Sequence, residues 1–251
     1  MGPTHPLSCK SPLSYTDHAV TPKMIAGLLT GNKFISYSGC ATQIFFFGAF
    51  AVTENFLLAS MAYDHHAAIC KPLYYTTTMT STVCAHLTSS AYISGFMASS
   101  IFIGSMFSLS FCRLNIIHHF FCDIPPVLVL SCSDTHITEL IIFILVSLNT
   151  LFPFLVIFAS YLLIFITILK IHSANGRQKA FSTCTSHLTA VSIFYGTMLF
   201  MYFQPSSSHS MDTDKIVSVF YTMVIPILNP LVYSLKNKNV KNAFRKVVRG
   251  R

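Results

Sequence analysis

Residues 140–169 read LIIFILVSLNTLFPFLVIFASYLLIFITIL and hold no Lys, Arg, Asp or Glu. A helix needs about 20 residues to cross a hydrocarbon core of about 30 Å. Inside lipid, every backbone N–H and C=O must be satisfied within the segment, so a stretch of this kind reads as a membrane-spanning helix. Four more stretches lack charge: 34–53, 72–112, 180–211 and 216–235. The ten-residue alternation of a barrel strand is absent.

Composition agrees. The 251 residues are 53% hydrophobic and 10% charged, against about 25% charged in soluble domains. The net charge of +8 would suggest nucleic acid in a soluble chain. Its distribution argues against that. Lys71, Lys170, Arg177 and Lys179 sit in two loops. Lys236, Lys238, Lys241, Arg245, Lys246, Arg249 and Arg251 crowd the tail. Asp123, Asp134, Glu139, Asp212 and Asp214 fall on the other loops. Basic residues gather on the cytoplasmic side of membrane proteins. The pattern therefore puts the C-terminus inside, the N-terminus outside, and the lipid bilayer in place of a nucleic-acid partner. Basic residues of the tail are also suited to anionic lipid.

Spans are expected over 34–63, 83–107, 140–169, 180–202 and 216–235. Residues 1–33 read as an irregular remnant with no signal-peptide core. Asn175-Gly176-Arg177 reads as a turn between spans, and Pro153 as a kink. The tail, 236–251, repeats Val240, Phe244, Val247 and Val248 at helical spacing among basic residues, as a surface helix would. No Asn-x-Ser/Thr glycan acceptor and no internal repeat occur.

Three stretches carry a family resemblance. Met61-Ala62-Tyr63-Asp64-His65-His66-Ala67-Ala68-Ile69-Cys70-Lys71-Pro72-Leu73-Tyr74-Tyr75 resembles the odorant-receptor signature MAYDRYVAICxPLxY. Residues 179–188, KAFSTCTSHL, resemble KAFSTCxSHL. Residues 226–237, PILNPLVYSLKN, resemble PxLNPxIYSLRN. They follow the family's order, each at the expected end of a span, over about residues 21–250. The resemblance implies a rhodopsin-like G-protein-coupled receptor: an all-α membrane protein, here an incomplete seven-helix bundle of five spans plus a surface helix. The first family helix, and most of the second, should precede Thr21-Pro22-Lys23-Met24. The implied partners are a small apolar odorant and a stimulatory olfactory-type heterotrimeric G protein. The implied location is the plasma membrane, or the endoplasmic reticulum if the chain is truncated. No cofactor is implied.

The resemblance also implies disulfides Cys40–Cys122 and Cys112–Cys132. A loop of the second kind is worth about 3 kcal/mol in the chain-entropy model. From the residues alone, four free thiols, or zinc with His118 and His119, are alternatives. The spacing is poor for zinc. Cys70, Cys84 and Cys184 read as small apolar side chains. Glu54 lies near mid-bilayer, where acids are costly and usually functional. It is a weak sodium-site candidate, and a protonated acid bonded within the bundle is the competing reading.

Asp64-His65-His66 departs from the family's Asp-Arg-Tyr. That arginine is always charged and forks its donors. In relatives it meets the G protein near the tyrosine that aligns with Tyr161. His65 is shorter and mostly neutral at cell pH. Adjacent histidines point to different helix faces, which disfavours a metal site.

Helical spacing and the resemblance together suggest a ligand pocket. Ile44, Phe47, Gly48, Ala51 and Asn55 form one stripe. Ile141, Leu145, Leu148 and Asn149 form a second, and Tyr195, Met198, Leu199 and Tyr202 a third. Plain helix packing is the better account of any single one of them, and the set stands only on its alignment with the family's pocket. Mostly apolar walls with a few polar groups suit small organic ligands. Tyr195-Gly196 and Asn229-Pro230-Leu231-Val232-Tyr233 resemble switch elements, where Gly196 and Pro230 permit bending.

No phosphate loop or catalytic constellation appears, so an enzyme is not expected. Two other functions compete with the signalling receptor. One is a truncated, silent product of the same family. The other is a small channel or transporter, which would need paired intramembrane charges or repeated halves.

Overall fold

A computed structural model of the chain describes residues 29–31, 34–112, 117 and 121–202. Four long helices dominate: α1 (Tyr37–Cys70), α3 (Ser81–Phe107), α5 (His136–Leu169) and α6 (Ala174–Tyr202). Two short helices, α2 (Tyr75–Thr78) and α4 (Ile124–Leu128), sit in the connections. An isolated antiparallel bridge, Phe111 to Ser131, is the only β-pairing among the described residues. By length and composition, α1, α3 and α5 can each cross a membrane.

The helix ends differ from the expected spans, for local reasons. The first was expected to stop at Tyr63. It runs to Cys70 because nothing interrupts it before Lys71-Pro72. At 34 residues it is about 51 Å long, so Asp64, His65 and His66 are helical. Its start is fixed by Ser36, whose Oγ accepts from the Gly39 N–H at 3.1 Å. Thr80 caps α3 in the same way through the Val83 N–H, at 3.3 Å. The third span starts at His136, not Leu140, with Glu139 in its first turn, where an acid favours the helix dipole. Asn175-Gly176-Arg177 is not a turn. Ser173 accepts from the Gly176 N–H at 3.3 Å and brings all three residues into α6. The span expected over 216–235 and the surface helix over 236–251 lie outside the described residues.

The α1 helix is central. It packs mainly on α3 and α5, with a smaller contact to α6. Its approach to α3 is close at Gly95, where any Cβ would strike the Ala49 carbonyl and the Thr53 hydroxyl. Ala91, Gly95 and Ser99 line the buried face of α3. Small residues let backbones meet where lipid gives no hydrophobic drive between helices. On α5, Pro153, Ile157, Ser160, Ile164 and Ile168 face inward. Its other side stays exposed and apolar, including Phe143, Phe152, Phe158 and Phe165. In water such a face would be a liability. Against hydrocarbon it is ordinary.

Candidate functional site

Pro153 sits inside α5 and has no backbone N–H. The carbonyl four residues back, that of Asn149, therefore loses its regular helical donor. Asn55 on α1 supplies one: its Nδ2 donates to the Asn149 oxygen at 2.7 Å. The other end of the same amide is also used, because the Tyr195 hydroxyl on α6 donates to Asn55 Oδ1 at 2.6 Å. Asn149 turns its own Nδ2 onto the Leu145 carbonyl at 2.8 Å. One buried amide thus joins three helices. Leaving a buried polar group unsatisfied would cost about 1–3 kcal/mol. The Tyr195 ring packs edge-on against Phe154 and Phe194, with centroids 5.3 and 5.4 Å away.

Asn55, Asn149 and Tyr195 therefore meet in one cluster, which Leu145 joins by its backbone carbonyl while its side chain packs against the apolar core that holds Ile44. Other expected pocket residues do not. Ile44 belongs to a separate apolar core with Cys40, Phe102, Met106, Cys122 and Val127. Phe47 packs on Phe121, with centroids 5.6 Å apart. Gly48 faces Ser99 on α3. Ile141, Ala51 and Met198 are half-buried. Leu148 is 64% exposed and Leu199 55% exposed, so both point away from the bundle. Leu148 lies about 100° around the helix from Asn149, and that one step turns it outward. The side chain of Tyr202, and Asn229, Pro230 and Tyr233, lie outside the described residues. Glu54 is 6% exposed beside Asn55. Among the described residues no three His, Cys, Asp or Glu side chains group as metal ligands.

A second polar cluster lies toward the Lys71 end. His187 on α6 is 0% exposed. Its Nε2 meets the Leu58 carbonyl at 2.9 Å, and its Nδ1 meets the Tyr161 hydroxyl at 2.7 Å. A carbonyl only accepts, so Nε2 carries the proton. In a neutral imidazole, Nδ1 then accepts from Tyr161. The His65 ring lies edge-on to His187, with centroids 5.4 Å apart. Asp64 accepts from the Tyr75 hydroxyl at 2.9 Å. Partial burial, that hydrogen bond and the Asp64 charge push the Tyr75 phenol up to about 12. His66 packs near Tyr63. Sequence reasoning gave His187 no role, although a histidine inside an apolar span was a usable signal.

At the opposite end, disulfides join Cys40 to Cys122 and Cys112 to Cys132, with Cα separations of 5.4 and 5.9 Å. Gln43, also unremarked in the sequence, is 7% exposed and accepts the Cys122 N–H at 2.9 Å. The loop is therefore held to α1 by a covalent bond and a buried hydrogen bond. Cys84, read as a small apolar side chain, is disulfide-bonded. Cys70 and Cys184 remain thiols.

A family model described as olfactory receptor matches residues 14–250. Human olfactory receptor 5B2 is 64% identical over 231 residues, covering 92% of this chain and 75% of the relative. Human olfactory receptor 5B12 is 66% identical over 230 residues, covering 92% and 73%. Mouse olfactory receptor 5B21 is 60% identical over 242 residues, covering 95% and 76%. Among solved structures, squid rhodopsin superposes with a TM-score of 0.66 at 16% identity, covering 94% of this chain and 69% of that one. This last likeness concerns the fold alone.

Proposed function

The chain belongs to the olfactory receptor family and is a multi-pass membrane protein of rhodopsin-like fold, and we propose that it answers small, uncharged volatile organic molecules by activating a stimulatory heterotrimeric G protein. The proposed orientation puts the disulfide-bonded loop outside and the basic tail in the cytosol. The single supporting observation is the Asn55 amide, which reaches α5 and α6 at once. A ligand hydroxyl or carbonyl competes there for the Tyr195 hydroxyl or the Asn55 amide. Apolar neighbours of the Tyr195 ring, Phe154 and Phe194, hold its body. A ligand shifts the helices only by its differential affinity for two arrangements. An exchange of partners at Asn55 is one source of that difference.

The test is a cAMP assay in cells displaying this chain, over a panel of volatile alcohols, ketones and aldehydes. A dose-dependent rise that Tyr195→Phe weakens supports the reading. Silence across the panel, with the chain at the cell surface, overturns signalling.

The second reading, a family member that does not signal, is favoured by one observation. His65 stands where the resemblance expects arginine, and its ring is packed against buried His187. An imidazole lacks the reach and the forked donors of a guanidinium.

A further inference from the structure

A cavity of about 350 Å³ opens beside the Cys40–Cys122 disulfide, between α1, α3 and the loop that follows α3. It sits at the lower end of the roughly 300–1,000 Å³ range of small-molecule pockets. Ile44, Met106 and Val127, all buried, line its inner part. Tyr37 and Phe107 also line it and are exposed. The Tyr37 ring meets Phe107 at 5.8 Å and Phe111 at 5.9 Å between centroids, which makes one aromatic wall.

Three features define what fits. No described lining residue is charged, so an ion gains nothing by leaving water for this site. Tyr37 brings the one side-chain hydroxyl among the described lining residues. Disulfides tie down Cys40 in the lining and Cys112 next to Phe111. The wall is therefore held before a ligand arrives, which lowers the ordering cost of binding. Asn55 lies eleven residues beyond Ile44 on α1, about 17 Å along the axis, so this cavity is separate from the Asn55 cluster.

We propose that the cavity is a second ligand site, for a small uncharged organic molecule with an apolar body and one hydroxyl or carbonyl group. The body lies against Ile44, Met106 and Val127. The polar group meets the Tyr37 hydroxyl. A ligand here bridges α1, α3 and the loop. Its binding does not depend on G-protein coupling, so a silent receptor would still take it.

Photolabelling tests the site. The whole chain in lipid nanodiscs is irradiated with a medium-chain alkyl alcohol bearing a diazirine, then digested and mapped by mass spectrometry. Adducts are expected on peptides holding Tyr37, Met106 or Phe111, and excess parent alcohol should remove them. Met106→Trp fills the cavity and should abolish the competed label. Ala41→Leu, a milder filling, should reduce it and guards against misfolding of the first variant. Adducts near Tyr195 report the Asn55 cluster separately, so either site can fail alone. The proposal is overturned if these peptides stay unlabelled, or if filling the cavity changes nothing. It is also overturned if only a phospholipid with a diazirine in its tail labels them. The cavity would then be a lipid groove.

Discussion

Asn55 on α1 donates to the Asn149 carbonyl on α5, the group that Pro153 leaves without a helical N–H. A proline in a membrane helix is tolerable when a neighbour satisfies the freed carbonyl. Asn55 and Pro153 should therefore be coupled. Alone, Asn55→Ala should destabilise the bundle by about 0.6–2 kcal/mol, the range for hydrogen bonds between membrane helices. In a Pro153→Ala background the backbone supplies its own donor, and the same change should cost less. Thermal melting of the four variants in detergent measures this. Equal costs in both backgrounds would break the link.

Tyr195 shares that amide from the other side, at 2.6 Å. Tyr195→Phe keeps the ring packing on Phe154 and removes only the hydroxyl. Under the proposed function, odorant potency should fall while surface expression stays near normal. A flow-cytometry count beside the cAMP curve separates the two effects. Lost expression with unchanged potency would assign Tyr195 to folding alone.

Gly95 meets the Ala49 carbonyl and Thr53 hydroxyl too closely for any side chain. Gly95→Leu should force α1 and α3 apart, at a cost of about 1–3 kcal/mol or more for overpacking. The Cys184 thiol is 2% exposed, so its reaction with a thiol-directed dye reports unfolding. The variant should react at a lower temperature than the parent chain. An unchanged melting curve would mean that the helices pack differently.

Tyr75 provides a pH test outside the spans. Its phenol is raised to about 12 by burial and by Asp64. A raised pKa stabilises the protonated, folded form. That contribution is intact below about 10, the free phenol value, and is lost as pH rises through 12. Near neutrality the Tyr75–Asp64 contact should not respond to pH. Asp64→Asn should bring the phenol down toward the free value, read as the difference in phenolate absorbance against Tyr75→Phe. A phenol that ignores Asp64→Asn would remove the charge from the explanation.

His65→Arg restores the residue type expected by resemblance and removes the ring contact with His187. A receptor limited by His65 should gain cAMP output at saturating odorant. If the arginine variant reaches the surface and stays silent, the block lies elsewhere.

Three long apolar helices, α1, α3 and α5, were legible because about 20 residues without charge match the thickness of a hydrocarbon core and little else. Their ends were less so. Charged or polar residues such as Asp64, Arg177 and Glu139 looked like boundaries, yet each continues a helix whose cap lies further out. Which side of a span faces inward was the hardest question. Leu148 sits in a helix that is apolar on most sides, so periodicity could not tell lipid from bundle there. Asn149 four residues before Pro153 was visible as a local weakness, but the donor that completes it is 94 positions away. His187 was hidden similarly, since its partners, Leu58 and Tyr161, come from two other helices.

The position of His187 has an asymmetric requirement. One edge of the side chain must give a proton to α1, and the opposite edge must receive one from α5. Glutamine could satisfy both edges by choosing its amide rotamer. Glutamate ion offers only acceptors and would orphan the Leu58 carbonyl, while lysine offers only donors and would force the Tyr161 hydroxyl to accept instead of donate. A substitution survey at this position should therefore rank residues by two-sided polarity rather than by charge, size or helix preference.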